Sequence, residues 1–386
     1  MAIIFTNDLP IDKWLLSENN RVVEFFSDYA EPAVYCDITI GALFPIRIYP
    51  LPDNTFWFNF KKYFSSQLKD YADDLDLTVN PADIDTFIKD WSKIFLNDSI
   101  EFLITFEDDT TEDININPSV FLGAEQPYNY KLGQTIESNS NVILSPLKLK
   151  TSNKYYMKYW DGYPFDIGYT LERTETTATH TITNLTNTIT TPNIDYTQTF
   201  SRIVVSDGDT TQSLELYLPL VDGLNELEFV GTTDTYYIDL HKVASGCGVY
   251  LKWINQYGSY SYWLFNEFYQ VDLRAQSLGI INNDFFNLDD TISQSKQLGK
   301  DSADTWTVFS DDLNADEMNI AKGILTSPKV YLFTGVRFSQ NNFNDWLEVT
   351  VNTNSANIKQ PREGKNEIKV NIELPNDYNI KLWDYL

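Results

Sequence analysis

Cysteine and histidine are scarce in this chain of 386 residues. Its two cysteines, Cys36 and Cys247, are 211 positions apart, which excludes a disulfide framework. Each is most simply interpreted as a small buried apolar side chain. A single disulfide between the two is neither predicted nor excluded, because the sequence gives no geometry. His180 and His241 are the only histidines, and neither has a second ligand at the spacing of a zinc site. The sequence therefore predicts no metal centre.

Basic side chains are also in deficit. The chain carries 28 Lys and Arg against 55 Asp and Glu, which gives a formal net charge of −27. A surface of this sign repels phosphate backbones and anionic lipids. We therefore expect no direct nucleic-acid binding and no membrane binding.

Long apolar runs are absent as well. No stretch approaches the ~18–20 apolar residues of a membrane-spanning helix. Residues 1–5 are apolar but are not preceded by basic residues, and this run is too short for the core of a signal peptide. We expect a protein that is made in a cytoplasm without an export signal of its own.

The apolar residues that are present alternate with polar ones over short stretches. The clearest case is 367–374, where isoleucine, valine and leucine alternate with charged or amide side chains, and the same period of two recurs at 214–220, 347–351 and 56–60. Turn sequences such as Asp222-Gly223 separate these stretches. The pattern predicts a mainly β chain of tandem antiparallel β-sandwich-like modules with a few short helices.

Three short helices are expected. The first follows Asn80, since a proline comes next and apolar residues recur at helical spacing as far as Phe95. The second begins at Asn314, with a glutamate three residues later in the position of a capping box, and ends before Pro328. A weaker pattern covers 61–68.

Changes in composition divide the chain into three predicted modules. The first, 1–125, is β-rich; the second, 126–243, is a β module with a threonine-rich arm; the third, 244–386, is a β module with one short helix. A passage rich in glycine, proline and asparagine, 123–141, is interpreted as the linker between the first two.

The threonine-rich arm covers residues 174–191, which include ten threonines and few side chains that could fill a core. Threonine favours extended backbone, so the segment is expected to be an exposed β-arm or long hairpin. It is either a polar surface hairpin without a partner or an arm whose edge pairs with a neighbouring subunit. The sequence does not decide between the two.

No arrangement of residues predicts catalysis. His241 lies near Asp239 and His180 lies inside the threonine-rich arm, but neither has a nucleophile turn nearby, so both are interpreted as strand-end or surface histidines. Acidic segments such as 107–109 and 207–209 do not match the spacing of a calcium loop. We therefore predict a protein that is not an enzyme, with no catalytic, cofactor-binding or metal-binding residues and no cofactor.

Two binding interpretations stay open. The chain has 24 tyrosines and 9 tryptophans, which would suit stacking on sugars, although most of them fall in strand patterns typical of cores or interfaces. The only basic cluster, 359–365, is either a site that docks on an acidic neighbour, including a second copy of the chain, or ordinary variation in charge.

One resemblance to a known family is carried by the order of strand aromatics and turns. Residues 248–265 read GVYLKWINQYGSYSYWLF, residues 324–332 read ILTSPKVYL, and residues 346–351 read WLEVTV. In this order they resemble a module of virion structural proteins from tailed phages that infect Bacteroidetes, including the crAss-like phages. The stretches AVYCDIT at 33–39 and NTFWFNF at 54–60 resemble it more loosely.

This resemblance implies a non-enzymatic virion protein, most simply a tail or neck ring or collar. Such a protein assembles in cyclic copies around the portal–tail axis and contacts other tail and portal proteins. Localisation in the virion tail or neck, after synthesis in the host cytoplasm, is the corresponding expectation. The alternative is a glycan-binding or receptor-binding tail protein or adhesin.

Overall fold

The chain is mostly β and forms two compact units. The computed structural model describes residues 2–68, 80, 82–126, 140–146, 153–209, 213–232, 234–244, 246–267, 269–282, 295–340, 345–353 and 366–379. Unit 1 comprises Met1–Ala244, Asn255–Tyr260 and Val336–Asn344; unit 2 comprises Ser245–Ile254, Ser261–Gly335 and Asp345–Leu386. Among the described residues, no helix is both long enough and apolar enough to cross a membrane.

Short strands build most of unit 1. In chain order they are β1 (Ile3–Asn7), β2 (Trp14–Leu16), β3 (Val22–Ser27), β4 (Ala33–Ile40), β5 (Ile46–Ile48), β6 (Phe56–Asn59), β7 (Ile88–Asp90), β8 (Phe95–Leu96), β9 (Ile100–Phe106), β10 (Thr111–Ile116), β11 (Ser119–Phe121), β12 (Val142–Ile143), β13 (Lys154–Trp160), β14 (Pro164–Thr170), β15 (Ala178–His180), β16 (Ile182–Asn184), β17 (Ile189–Thr190), β18 (Ile194–Tyr196), β19 (Phe200–Asp207), β20 (Gly223–Val230) and β21 (Thr235–Val243). Most of their pairings are antiparallel, which confirms the predicted fold class.

Two antiparallel sheets face each other in the N-terminal part of unit 1. Their strand orders are β1-β3-β6 and β10-β9-β4-β5. Every second side chain of β9 is buried, as expected for a strand with one face on a core. The ring of Phe102 lies 5.6 Å from that of Phe5, 5.0 Å from that of Phe25 and 6.0 Å from that of Phe60, measured between centroids. These aromatic contacts join the sheets into a first sandwich.

A second sandwich follows in the same unit. Its sheets have the orders β12-β14-β19-β7 and β13-β21-β20-β16-β17, and β13 is parallel to β21. Ile167 and Ile203 of one sheet and Ile182, Leu227 and Phe229 of the other line a small apolar void between them. Two smaller sheets, β2-β11-β8 and β15-β18, complete the described part of unit 1.

Two of the three predicted helices are confirmed. Helix α1 covers Lys61–Gln67 and helix α2 covers Ala315–Ala321. The Asn314 side chain accepts a hydrogen bond from the Glu317 N–H, and the Glu317 carboxylate accepts one from the Asn314 N–H at 3.0 Å, so the predicted capping box is present. A 3₁₀ segment, Lys322–Thr326, then ends the helical stretch before the proline, as expected.

Unit 2 is built on a single sheet of seven strands. They are β22 (Val249–Ile254), β23 (Tyr260–Phe265), β24 (Gln270–Asn282), β25 (Ser295–Leu313), β26 (Val330–Phe333), β27 (Trp346–Val351) and β28 (Asn366–Glu373), in the order β23-β22-β26-β27-β28-β25-β24. Helix α2 packs against β25 and β28, with Met318 and Ile320 buried. The strands predicted at 347–351 and 367–374 are present as β27 and β28, and the strand predicted at 56–60 is present as β6.

The helix predicted from Asn80 to Phe95 is wrong. These residues form a 3₁₀ turn (Ile84–Phe87), strand β7, a second 3₁₀ turn (Ser92–Ile94) and strand β8, while Pro81 lies outside the described residues. Strand β7 pairs with β19 at the edge of the second sandwich. The apolar spacing resembles that of a helix because successive short elements bury their side chains in different places. Pairing with the long strand β19 satisfies backbone hydrogen-bonding groups that a helix would have satisfied internally.

The strand predicted at 214–220 is also wrong. Leu214–Leu216 is a 3₁₀ turn, and a loop follows it. Leu214 and Leu218 are buried over the void of the second sandwich, whereas Leu216 is exposed. The leucines alternate in sequence, but they do not share one face, because none of the described strands pairs with this segment to hold it extended.

The threonine-rich stretch does not project as an arm, although it contains a short surface hairpin, β16–β17, at the edge of the five-stranded sheet. Strand β16 pairs with β20 inside the five-stranded sheet of the second sandwich, β17 pairs with β16, and β15 pairs with β18. Ile182, Asn184 and Thr191 are buried. A few apolar and amide side chains at alternate positions are enough to anchor the stretch in the sheet. The threonines are tolerated because the outer face of a sandwich accepts polar side chains.

Several predictions concern residues that the structure does not describe. Most of the predicted linker 123–141 lies outside the described residues, and so does the whole basic cluster 359–365. The division into three modules stays a prediction beside the two units found here, of which unit 1 contains both sandwiches.

Candidate assembly surface

A cluster of three titratable groups lies inside unit 1. The Lys242 ammonium is 3.0 Å from the Glu215 carboxylate and 3.5 Å from the Asp161 carboxylate. Burial raises the pKa of the Glu215 carboxyl to about 7, although the charge of Lys242 opposes this. Burial lowers the pKa of Lys242, but Glu215 and Asp161 outweigh it, so that pKa is raised overall.

This cluster closes a core and does not form an open cleft. Glu215 sits in the 3₁₀ turn that covers the void of the second sandwich, where its neighbours are isoleucine, leucine, valine and phenylalanine side chains. Lys242 comes from β21 and Asp161 from the turn after β13. The arrangement neutralises a buried carboxylate where three segments meet, which is a structural role.

Because of Glu215, the stability of the chain should depend on pH. Its folded pKa of about 7 is above the value of 4.5 for an unperturbed glutamic acid, so its contribution is fully present below pH 4.5 and is lost as the pH rises through 7. When the pH is lowered from 8 to 5, the free energy of unfolding of the wild type should rise by about 2–3 kcal/mol more than that of Glu215→Gln. Urea unfolding of both proteins at both pH values measures this. Equal gains would contradict it.

A second buried charge pair joins two strands of the same sandwich. Arg202 on β19 and Asp166 on β14 are both completely buried, and both Nε and Nη2 of the guanidinium donate to Asp166 Oδ2, the former at 3.1 Å. The guanidinium carbon also lies 4.9 Å from the Trp91 ring centroid and 4.6 Å from that of Tyr260. The Trp91 indole N–H donates to the Gly258 carbonyl at 2.8 Å. Arg202 is thus held by a carboxylate and two aromatic rings in the interior of unit 1.

Both histidines lie in strands of unit 1. His180 ends β15, packs against the Tyr196 ring at 5.6 Å, and has its pKa lowered by burial. His241 lies within β21, near its end. Among the described residues, no group of three or more histidine, cysteine, aspartate or glutamate side chains could hold a metal ion. Cys36 is buried, Cys247 is exposed, and neither is in a disulfide bond.

The most distinctive surface of the chain belongs to unit 2. Strand β24 pairs with β25 from Gln270 opposite Thr307 to Asn282 opposite Ser295. Strand β28 pairs with only the later part of β25, from Thr305 onwards. The residues that follow β28 add backbone hydrogen bonds to Asp304 and Ser302 of β25. Of the described residues, none pairs with the outer edge of β24. We call β24 together with residues 295–304 of β25 the ribbon.

The ribbon exposes apolar side chains along its outer strand. Nearly every residue of β24 is exposed, and Leu273 and Ile280 are 65% and 66% exposed. Val271 and Leu278 are exposed as well. A long exposed strand edge with apolar side chains is a template for pairing with another chain, and proteins usually cover or charge such edges. The ribbon is therefore a candidate interaction surface.

A second exposed apolar surface lies on the first sandwich of unit 1. Residues 41–64, which we call the acceptor segment, contain edge strands β5 and β6. Phe44 is 94% exposed and Trp57 is 55% exposed, and Ile46, Tyr49 and Leu51 are also exposed. The Arg47 guanidinium lies 3.7 Å from the Tyr35 ring centroid and forms two hydrogen bonds with Asp37, at 2.8 and 2.7 Å.

The long exposed strand edge lies outside the threonine-rich stretch in which sequence reasoning expected an arm. The threonine content of 174–191 suggested the arm; that stretch contributes only short edge strands, β15 of three residues and β17 of two, whereas β24 at 270–282 is an exposed edge strand of thirteen residues. A usable signal was present, since Val271 and Leu273 alternate with Asp272 and Arg274. That pattern indicates a strand with one apolar face, but it does not reveal that the apolar face is left uncovered.

Comparison with known proteins gives no family. No family model matches the chain, and no curated protein matches it. Among solved structures, it is similar to fibronectin(III)-like modules of Clostridium thermocellum CbhA, with 8% identity over 62% of this chain and 95% of that one and a TM-score of 0.19. It is similar to murine CEACAM1b, with 7% identity over 63% of this chain and 100% of that one and a TM-score of 0.22. It is also similar to domains 4–9 of the surface layer protein SbsC, with 9% identity over 97% and 42% and a TM-score of 0.20. TM-scores of this size carry no inference about function.

Proposed function

We propose that this chain is a non-enzymatic structural component of a phage virion, most simply a tail or neck ring or collar. It assembles in cyclic copies around the portal–tail axis and contacts other tail and portal proteins there. It is made in the host cytoplasm and resides in the virion. The resemblance of residues 248–265, 324–332 and 346–351 to virion proteins of phages that infect Bacteroidetes supports the class of particle.

The observation that carries the proposal is the ribbon. A strand of thirteen residues exposes its outer edge and a row of apolar side chains. An isolated soluble domain gains nothing from such an edge, which invites aggregation, whereas an assembly protein uses it to recruit the next subunit. The sandwiches of unit 1 supply rigid elements that can present further contacts.

A ring requires a heterologous contact, in which one surface of a copy meets a different surface of the next. The described residues provide two exposed apolar surfaces of this kind, the ribbon in unit 2 and the acceptor segment in unit 1. The net charge of −27 also suits a protein that surrounds DNA in transit, since an acidic lining does not retain a phosphate backbone.

The mass of the purified protein in solution tests the proposal. Native mass spectrometry and light scattering across protein concentration should show a closed oligomer, on the order of six or twelve copies. Raising the salt concentration should strengthen the oligomer, because screening weakens the repulsion between acidic copies while apolar contacts persist. A monomer at every concentration that also binds polysaccharide would contradict the proposal.

A glycan-binding tail protein is the second candidate, and exposed aromatic side chains in the acceptor segment favour it. Phe44, Tyr49 and Trp57 offer flat apolar faces to solvent, and such faces stack on sugar rings. In that case Trp57→Ala should abolish binding in a screen of bacterial polysaccharides without changing the mass of the protein in solution. An unchanged binding profile would exclude Trp57 as a sugar platform.

A further inference from the structure

Lys242 holds the position of a core residue near the end of strand β21. Alternate side chains of a strand share one face, and the two that precede Lys242 on its face, Ile238 and Leu240, are completely buried. The Lys242 side chain is only 10% exposed, and its ammonium lies beside the carboxylates of Asp161 and Glu215. An amine thus continues the apolar face of the strand, next to two carboxyl groups from separate segments.

The backbone fixes Asp161 beside this lysine. Strands β13 and β21 run parallel, and Tyr159 of β13 lies opposite Lys242 of β21. Just beyond the paired residues, the Asp161 N–H donates a hydrogen bond to the Val243 carbonyl at 3.1 Å. The Asp161 Oδ1 atom is buried and lies 3.5 Å from the Lys242 Nζ atom. Two neighbouring strands therefore hold an amine and a carboxyl group in contact.

Glu215 reaches the same amine from the 3₁₀ turn that covers the void of the second sandwich. Its side chain is 6% exposed, and its Oε1 and Oε2 atoms lie 3.0 Å and 3.4 Å from the Lys242 Nζ atom. Burial raises the pKa of the Glu215 carboxyl to about 7. A carboxyl group with a pKa near neutrality can take up a proton and release it again in one reaction, as general acid–base catalysis requires.

We propose that Lys242 and Asp161 form an intramolecular isopeptide bond, with Glu215 as the group that transfers the protons. The Lys242 Nζ atom bonds to the Asp161 Cγ atom, the bond from Cγ to one carboxyl oxygen breaks, and that oxygen leaves as water. One ammonium proton stays on the amide nitrogen. Glu215 carries the other two in succession to the departing oxygen, which frees the nitrogen lone pair for the attack. Atoms, protons and charges balance without a further reactant.

Contact and burial both favour this condensation. Groups that the fold holds about 3–3.5 Å apart react as if they were at a very high concentration. The product amide is neutral, so it removes two charges from a site where poorly solvated charges are costly. Although burial lowers the pKa of Lys242, the two carboxylates raise it overall, so only a small fraction of molecules holds a neutral amine at any moment. That fraction limits the rate of the reaction, while the stability of the amide lets the product accumulate.

A second lysine of the same sheet supplies a matched control. The Lys154 Nζ atom lies 2.9 Å from Asp239 Oδ1 and 3.0 Å from Glu226 Oε1, so the distances in that cluster are as short. The side chains of Lys154 and Glu226 are, however, 30% and 41% exposed, against 10% and 6% for Lys242 and Glu215. Water solvates the charges of the exposed cluster, so we expect it to remain an ion pair.

The mass of the denatured, intact protein tests the bond. Mass spectrometry of the wild type should give the sequence mass less one water molecule. Lys242→Arg keeps the positive charge but lacks a nucleophilic amine, so it should show the full sequence mass. Asp161→Asn should lose ammonia in place of water, because its leaving group is a nitrogen. Lys154→Arg should lose water as the wild type does.

Glu215→Gln tests the proton transfer. Glutamine keeps the shape of the side chain but cannot exchange a proton, so the bond should form at least about a hundredfold more slowly. The rate is the increase in the fraction lacking one water during incubation at neutral pH, and circular dichroism checks that the variant is folded. In the wild type, tryptic digestion should give a branched peptide that joins residues 159–173 to residues 203–252, since trypsin does not cleave after an acylated lysine.

Two results would overturn the bond. The first is the full sequence mass for folded wild type after prolonged incubation, which would leave the cluster as an ion pair. The second is a loss of water that persists in Lys242→Arg, since it would come from cyclisation of an aspartate onto its own backbone, as at Asp161-Gly162. A wild-type rate for Glu215→Gln would overturn the role of Glu215 in proton transfer.

The bond would join β13 and β21, the first and last strands in chain order of the five-stranded sheet. Loss of the Lys242 charge would leave burial less opposed at Glu215, so the pH dependence of stability predicted above keeps its sign. The bond lies within one chain and does not depend on how copies assemble. Its absence would therefore leave the proposed function standing, and a failure of that assembly would leave the bond standing.

Discussion

Replacing Arg202 by methionine should lower the free energy of unfolding of unit 1 by about 3–5 kcal/mol. The substitution leaves Asp166 buried in the second sandwich without its cationic partner, and both side chains are completely buried in the wild type. It also removes the cation that lies 4.9 Å from the Trp91 ring and 4.6 Å from the Tyr260 ring. Urea unfolding followed by circular dichroism measures the loss.

Two further variants identify its cause. The double variant Arg202→Met with Asp166→Leu removes both charges and should recover most of the lost stability, because well-packed apolar side chains can replace a buried ion pair. Arg202→Lys keeps the charge but loses the two-nitrogen contact with the carboxylate, so it should fall between wild type and Arg202→Met. A double variant as unstable as the single one would show that packing of the long arginine side chain, and not its charge, is what matters.

Truncating Phe102 to alanine should cost about 3–5 kcal/mol in free energy of unfolding. Its ring lies at the centre of the first sandwich, within 5.0–6.0 Å of the rings of Phe5, Phe25 and Phe60. Removing it leaves a cavity between two sheets, and paired strands cannot easily collapse into that space. The same unfolding experiment measures the effect.

The matched control is Phe44→Ala, which deletes the same atoms at a position that is 94% exposed. Its effect on the unfolding of the isolated chain should be within about 0.5 kcal/mol. A loss at Phe44 comparable to that at Phe102 would mean that Phe44 is buried in solution, for example by a second copy. Repeating the measurement at several protein concentrations distinguishes these cases, because stability that comes from association depends on concentration.

The location of the buried charges could not be deduced from sequence. Arg202 and Asp166 are 36 positions apart on strands that become neighbours only in the sheet, and Glu215 meets Lys242 through a turn that sequence reasoning read as a strand. An acidic chain contains many carboxylates, and nothing in their local sequence marks the few that are desolvated. Which groups have shifted pKa values is decided by long-range packing.

The predicted helices also show which features depend on local interactions and which depend on distant strands. The capping box of α2 was predictable because Asn314 and Glu317 interact across three residues and need no distant partner. The pattern between Asn80 and Phe95 was equally helical by spacing, but β19 offers pairing that a lone helix could not match. A local signal decides a structure only when no stronger distant interaction competes for the same backbone.

The sequence by itself determined that the chain is mainly β, since period-two alternation of apolar residues reports which side chains one strand sends to each face. It determined the shortage of zinc ligands and the acidic charge, because these depend on composition alone. Only the tertiary structure decided which strands end a sheet, and therefore that β24 and β5 expose apolar faces while the threonine-rich stretch is built into a sandwich. The reason is physical: alternation gives a strand an apolar face, but whether that face is covered depends on the number of neighbours beside it, and those neighbours come from distant parts of the chain.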